Sequence, residues 1–225
     1  MTVRRIILST VLLAGFAGVA HAKDYSAERF DARIEVQRGG ALRVTERVLV
    51  RFEAGTFTQF YREIPSRLTD GLEVVSASMD GVVLPAGDGP GQVEIRRSSR
   101  TRVTWRFPGV SGSAHLFELT YIARGVVRQS DDADVVAWRA LPEQHAYRID
   151  SSTIDITLPS EPIGRPSVEL RRGGGSSVAT DGAEVRVQAR DIRANGWAEV
   201  LVRLPRGSLI DAPPQWQQHE LAVRG

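Results

Sequence analysis

The sequence predicts an all-β protein, an antiparallel two-layer β-sandwich of the immunoglobulin-like or a related type. Two observations predict this fold class. Beyond residue 22, apolar and polar residues alternate with a period of two through many short segments, and glycine-rich or Asp-Gly turns separate most of them. No long segment keeps the spacing of an amphipathic helix, so helical crossovers between strands are not expected.

The first 22 residues have the features of a secretory signal peptide. Arg4 and Arg5 precede the apolar run IILSTVLLAGFAGVA (6–20), and the small-residue sequence AHA follows before Lys23. The apolar run has 15 residues, fewer than the roughly 20 that span a bilayer. We therefore predict cleavage after Ala22 and an extracytoplasmic location, in the periplasm or at the cell surface. The alternative is a membrane anchor that is not cleaved.

The first two predicted strands form a hairpin. The segment FDARIEVQ (30–37) alternates strictly, the turn RGG (38–40) follows it, and LRVTERVLVRF (42–52) resumes the alternation. Further strands are predicted, in chain order, at LEVVSASM (72–79), VEIRRS (93–98), RVTWRF (102–107), HLFELTYIARGVV (115–127), VVAWRA (135–140), STIDITLP (152–159), SVELRR (167–172), AEVRVQA (183–189) and AEVLVRLP (198–205).

These strands are predicted to form one β-sandwich domain over residues 23–206. The glycine-rich stretch RRGGGSSVATDG (171–182) is expected to be a flexible loop within a hairpin. Residues 207–225 contain two adjacent prolines and little periodicity, so an irregular tail is expected there. If the chain continues past Gly225, the tail would lead into a transmembrane segment that tethers the domain.

Composition excludes several functional classes. The absence of cysteine excludes disulfides, thiolate metal sites and a cysteine nucleophile. Cleavage would remove two of the 29 basic residues and leave 27 against 27 acidic ones, without a polybasic block, so nucleic acid is not an expected partner. His115, His145 and His219 lack metal-ligand spacing. Neither a metal nor another cofactor is predicted.

Glu46 is the most unusual acid in the sequence. Alternation places it on the same strand face as Val44 and Val48, which is expected to point inward. A buried carboxylate without a partner is costly. One explanation is an ion pair with an arginine from a neighbouring segment. The other is a catalytic acid of a glycosidase-like hydrolase, with Glu63 or Asp150 as the second carboxylate.

The segment FTQFYREIP (57–65) concentrates three aromatic residues beside opposite charges. Strict alternation would place Phe57 and Tyr61 on one side of the strand, and Phe60 and Arg62 on the other. Arg62 is then the first choice as the partner of Glu46, with the aromatic rings shielding the pair from water. We predict that Glu46 and Arg62 form a buried structural ion pair.

Aromatic residues are common anchors of protein interfaces. Tyr61, Trp138 and Tyr147 are therefore the candidate binding residues, provided that at least one of them is exposed to solvent. The expected partner is a protein or a polymer of the cell envelope.

Three segments resemble a known family: YSAERFDARIEVQRGGALRVTERVLVRFEAGTFTQFYREIP (25–65), WRALPEQHAYRID (138–150) and STIDITLP (152–159). It is the family of predicted membrane proteins known as domain of unknown function 2207. The resemblance implies an extracytoplasmic β domain that precedes transmembrane helices, and it implies no activity, cofactor or catalytic residue. The predicted function is a non-enzymatic binding or scaffold domain of a cell-envelope protein. The alternative is an envelope-polymer hydrolase that uses a carboxylate pair including Glu46.

Overall fold

The computed structural model describes residues 23–224, in which the chain forms fifteen strands and one helix. The predicted signal peptide, residues 1–22, lies outside the described residues. The elements in chain order are β1 (Asp24–Val36), β2 (Leu42–Ala54), β3 (Phe57–Pro65), β4 (Gly71–Met79), β5 (Val82–Val83), β6 (Gln92–Arg97), β7 (Arg100–Val110), β8 (Ser113–Arg124), β9 (Arg128–Gln129), β10 (Ala133–Leu141), β11 (Ile149–Thr157), β12 (Ser167–Arg171), β13 (Gly175–Asp181), β14 (Glu184–Ile192), β15 (Trp197–Pro205) and α1 (Gln215–Arg224).

The strands form three open sheets, so the prediction of an all-β protein is confirmed. The largest sheet has eight strands in the order β13-β14-β11-β1-β2-β8-β4-β5. A four-stranded sheet has the order β12-β15-β10-β9, and a three-stranded sheet has the order β3-β7-β6.

The expectation of purely antiparallel pairing is wrong for one pair of strands. β1 pairs with β11 in parallel, from Ala27 opposite Ile149 to Glu35 opposite Thr157. The chain enters β11 from β10, which belongs to another sheet, so no hairpin forces β11 to run antiparallel to its neighbour. The eight-stranded sheet is therefore mixed.

Both smaller sheets pack against the same face of the eight-stranded sheet. From the three-stranded sheet, Phe60 stacks on Phe117 of β8 with ring centroids 4.6 Å apart, and Trp105 meets the same ring edge-on. From the four-stranded sheet, Trp138 lies 6.3 Å from Tyr121, also on β8. Phe117 and Tyr121 are four residues apart on one strand and share a face because side-chain direction has a period of two. One hydrophobic core results.

The glycine-rich stretch and the tail are more regular than expected. Gly175–Asp181 forms β13, which pairs with β14, so much of the expected flexible loop is a strand. The tail expected to be irregular contains α1. The Asp70 carboxylate accepts hydrogen bonds from the backbone N–H groups of Gln215 (3.0 Å) and Trp216 (3.1 Å) at the start of this helix. The cap comes from a distant loop, so the residues before the helix do not reveal it.

The Trp216 indole N–H donates to the Gly125 carbonyl at 2.6 Å and so attaches α1 to the β domain. Within residues 23–224 the structure has one helix, α1, which is not long and apolar enough to cross a membrane.

Candidate functional site

The segment FTQFYREIP forms β3, and a register shift against β7 determines which of its side chains face inward. The shift lies between Phe57 and Gln59. Because of it, Phe57 and Phe60 are both buried in the core, at 6% and 4% exposure. The strict alternation expected for Phe57 and Tyr61 is therefore wrong at Phe57. Tyr61 faces solvent at 42% exposure, and Arg62 is buried at 3%.

Arg62 and Glu46 form a buried two-point contact between β3 and β2. Arg62 Nε lies 2.7 Å from Glu46 Oε2, and Arg62 Nη2 lies 2.9 Å from Glu46 Oε1. The Tyr121 hydroxyl from β8 also donates to Glu46 Oε1 at 2.9 Å. The third guanidinium nitrogen, Nη1, donates to the backbone carbonyl of Glu63. Each buried polar atom of this group has a partner, as a stable buried charge pair requires.

The network is electrostatically consistent with a charged arginine and a neutral tyrosine. Burial acts to lower the pKa of Arg62, but the Glu46 carboxylate outweighs it, and the pKa is raised overall. Burial, followed by the nearby Glu46 charge, raises the pKa of Tyr121 well above its usual value. The Tyr121 hydroxyl therefore remains a hydrogen-bond donor at physiological pH.

The carboxylates proposed for hydrolysis are occupied by other contacts. Glu46 is 1% exposed and both of its carboxylate oxygens accept hydrogen bonds. Glu63 accepts a hydrogen bond from Arg102 at 2.8 Å. Asp150 Oδ1 is a buried oxygen that lies 2.8 Å from Arg148 Nη2.

Beside this network, six aromatic rings surround an open cavity of about 200 Å³, which we call the aromatic pocket. Two of the three candidate binding residues, Tyr61 and Tyr147, lie in its wall. The other side chains that line it are Lys23, Tyr25, Phe52, Phe57, Gln59, Phe60, Gln144, His145 and Ala146. Neither Glu46, Glu63 nor Asp150 is among them, and the wall contains no carboxylate.

Ring contacts hold the wall of the pocket together. Tyr25 lies 5.2 Å from Phe57 and 5.4 Å from Tyr147, and Phe60 lies 5.9 Å from Tyr147. Burial raises the pKa values of Tyr25 and Tyr147, so both phenols are neutral. At the rim, the Lys23 ammonium lies 5.1 Å from the centre of the Phe57 ring. The pocket thus combines an apolar interior with a positively charged rim.

His145 fixes the loop between β10 and β11, which supplies one side of the pocket. Its Nδ1 lies 2.7 Å from the Tyr147 carbonyl, and its Nε2 lies 2.7 Å from the Gly196 carbonyl. The Asn195 N–H donates to the His145 carbonyl at 2.9 Å. Burial lowers the pKa of His145 and outweighs the two carbonyl contacts, which act to raise it. No residue pattern indicates this role, because every partner is a backbone group.

Trp138, the third candidate, does not join the aromatic pocket. It is 8% exposed and packs against Tyr121 in the core. Tyr147 is also buried, at 5%, so Tyr61 alone of the three candidates is substantially exposed.

The fold and the pocket define an all-β domain with an aromatic cavity whose wall lacks carboxylates. The model for the N-terminal domain of the predicted membrane protein family DUF2207 matches residues 26–204. The chain belongs to this family. No curated protein matches the chain.

Solved structures with a similar fold include parts of larger enzymes. Leukotriene A4 hydrolase from Saccharomyces cerevisiae matches 80% of this chain at 9% identity and a TM-score of 0.52. The yeast enzyme in complex with bestatin matches 79% at 10% identity and a TM-score of 0.53. An M1 zinc metallopeptidase from Deinococcus radiodurans matches 79% at 13% identity and a TM-score of 0.48. The chain spans 28 to 42% of these proteins' length. At 9 and 10% identity, the likeness to the two yeast structures shows the fold alone.

Proposed function

We propose that this chain is a non-enzymatic binding domain of a membrane-associated envelope protein, and that the aromatic pocket receives its partner. One observation carries the proposal: Tyr61 and Tyr147, selected from the sequence as interface anchors, line the same open cavity. Exposed tyrosine beside apolar surface is typical of binding sites. The partner is a protein or a polymer of the envelope that inserts an apolar group.

The lining of the pocket restricts the chemistry of that group. Six rings offer apolar contact, while Gln59 and Gln144 offer hydrogen bonds at the rim. Lys23 is the charged side chain of the lining, because burial lowers the pKa of His145 and keeps its imidazole neutral. The pocket therefore favours a neutral or an anionic group over a cation. A single aromatic or aliphatic side chain, or a substituent of similar size, suits a cavity of about 200 Å³.

The hydrolase alternative has less support. A glycosidase needs two carboxyl groups about 5 to 9.5 Å apart that both reach the substrate. The Glu46 carboxylate is sealed from solvent by Arg62 and Tyr121. An extracytoplasmic location and an immunoglobulin-like sandwich remain parts of this proposal. The first is supported by the sequence of residues 1–22, and the second by the two smaller sheets that cover one face of the largest sheet.

The test compares Tyr61→Ala with Val82→Ala, a control at a 62% exposed position outside the pocket. Purified protein is sedimented with peptidoglycan sacculi and, separately, with envelope membrane vesicles. We expect binding to one fraction that Tyr61→Ala weakens at least about tenfold and Val82→Ala leaves unchanged. Equal binding by both variants would contradict the proposal. Release of soluble glycan by the wild type, abolished by Glu46→Gln while the melting temperature stays unchanged, would establish the hydrolase instead.

A further inference from the structure

A second cavity, separate from the aromatic pocket, lies between the two smaller sheets. We call it the groove; its volume is about 520 Å³, within the usual range for ligand sites. On one side it is lined by Arg67, Leu68 and Arg100, near the ends of β3 and β7. On the other side it is lined by Ala137 and Arg139 of β10, and by Glu143 and Glu199, the two carboxylates that pair with Arg139.

β10, which lines this groove, has an unpaired edge. Its partner on that edge, β9, pairs only with Asp134 and Val135. On the opposite edge, β15 pairs with β10 along nearly its whole length. The backbone beyond Val135 therefore has one strand neighbour where it could have two, as at the edge of any open sheet.

Hydrogen bonds on both edges show which backbone groups face the groove. In the β9–β10 turn the Ser130 N–H donates to the Ala133 carbonyl at 2.8 Å, so Ala133 directs its backbone towards β9. In an antiparallel ladder every second residue points the same way. Ala137 and Arg139 therefore direct their N–H and C=O groups to the unpaired edge.

The hydrogen bonds of β15 indicate the same direction for the backbone groups of β10. The Arg203 carbonyl accepts a hydrogen bond from the Ile163 N–H at 2.7 Å, on the side of β15 away from β10. Arg203 lies opposite Val135, so this pair does not exchange backbone hydrogen bonds. The backbone N–H and C=O groups of Val135 therefore point towards β9. Ala137 and Arg139, two and four residues further on, direct their backbone groups to the same edge.

The charges around the groove favour an acidic occupant. Arg139 is already paired with Glu143 at 2.6 Å and with Glu199 at 3.4 Å. Among the described residues, Arg67 and Arg100 form no ion pair with a carboxylate within 4.0 Å. Three arginines and two glutamates line the groove, so its net charge is +1, and Arg67 and Arg100 are the arginines outside the ion pairs.

Leu68 supplies an apolar contact at the rim. Its side chain is 48% exposed, and its φ of 61° lies in the left-handed region that leucine rarely adopts. The loop is held by hydrogen bonds from the Ser66 N–H to the Ser99 carbonyl and from the Thr69 hydroxyl to the Ser66 carbonyl. Strained residues of this kind are concentrated at ligand-contacting sites.

We propose that the groove binds an extended acidic segment of a partner protein, which adds as a strand to the free edge of β10. The segment's backbone pairs with Ala137 and Arg139, its acidic side chains contact Arg67 and Arg100, and an apolar side chain packs on Leu68. Strand addition of this type obtains affinity from the backbone and specificity from alternate side chains.

The experiment measures binding of synthetic peptides to the purified protein by isothermal titration calorimetry. The probe is a six-residue peptide that alternates valine and glutamate; the control peptide has lysine in place of glutamate. Two further peptides are N-methylated at every second backbone amide, one at the odd-numbered residues and the other at the even-numbered residues. We expect the acidic peptide to bind at least about tenfold more tightly than the lysine peptide. At least one methylated peptide should bind about tenfold more weakly or worse, because its methylated amides cannot donate hydrogen bonds to the carbonyl groups of β10.

Protein variants test the two sides of the groove separately. Arg67→Glu combined with Arg100→Glu should lower the affinity for the acidic peptide at least about tenfold and raise the affinity for the lysine peptide. Arg33→Glu combined with Arg38→Glu, at two exposed positions outside the groove, reverses the same number of charges and should change neither. Amide hydrogen exchange at Ala137 and Arg139 should slow when the acidic peptide is added.

Three results would overturn the inference: no binding of the acidic peptide up to about 1 mM, equal affinity for acidic and lysine peptides, or unchanged affinity for both methylated peptides. None of these results bears on the aromatic pocket, whose test uses Tyr61.

Discussion

Replacement of Glu46 by alanine tests the buried ion pair most directly. The substitution leaves the Arg62 guanidinium charged, 3% exposed, and without the acceptors of Nε and Nη2. It also removes the acceptor of the Tyr121 hydroxyl. Loss of one partner from a buried pair costs about 3 to 5 kcal/mol of unfolding free energy.

The contacts themselves support this magnitude. Two charge-assisted hydrogen bonds from Arg62 are lost, at 2.7 and 2.9 Å, and such bonds contribute about 1.5 to 3 kcal/mol each. The sum, about 3 to 6 kcal/mol, agrees with the cost of an unpaired buried charge. Since domains of this kind are stable by about 5 to 15 kcal/mol, the variant should remain folded with little margin or unfold in mild denaturant.

The assay is equilibrium unfolding in urea, followed by tryptophan fluorescence. Glu73→Ala is the matched control, because its pair with Arg124 has side-chain exposures of 52% and 53%, and exposed pairs contribute about 0 to 1 kcal/mol. A double variant, Glu46→Met with Arg62→Met, removes both charges and should recover most of the loss. The reasoning is refuted if Glu46→Ala costs no more than Glu73→Ala, or if the double variant is less stable than Glu46→Ala.

Three further outcomes are expected. Burial lowers the pKa of His145, so the unfolded state binds the additional proton, and stability should fall as pH decreases through about 6.5; His145→Gln should reduce this slope in urea titrations. Gly40→Ala should be at least about 1 kcal/mol more destabilising than Gly39→Ala in thermal unfolding, because both have positive φ but only the Cβ at Gly40 meets a side chain, at 2.6 Å. Asp70→Ala should cost about 0.5 to 2 kcal/mol and speed amide exchange in α1, whereas unchanged exchange would argue against the cap.

Features that depend on local periodicity could be predicted from the sequence. Alternation located the strands, and in β2 it placed Glu46 among inward-facing residues, which is where the structure has it. The pairing with Arg62 could be anticipated because a buried carboxylate needs a cation and an arginine follows sixteen residues later.

Features that depend on distant partners could not be predicted. The bulge beside Phe57 arises from register against β7, about fifty residues away along the chain, and it changed the face of that ring. The cap of α1 by Asp70 and the fixing of the pocket loop by His145 rely on residues or carbonyls far apart in sequence. Periodicity describes one strand and does not contain the register between strands.

The density of rings and charges in FTQFYREIP has two separate causes. Phe57 and Phe60 are buried in the core, where they also line the aromatic pocket, and Arg62 neutralises Glu46, so stability accounts for the presence of these three residues. Tyr61 is different: at 42% exposure it contributes little to the core, yet it faces the aromatic pocket and lies under the Arg102 guanidinium at 4.7 Å. A substitution at Tyr147 would disturb both packing and pocket, because that ring is 5% exposed. Tyr61 is therefore the position at which the proposed binding can be tested separately from folding.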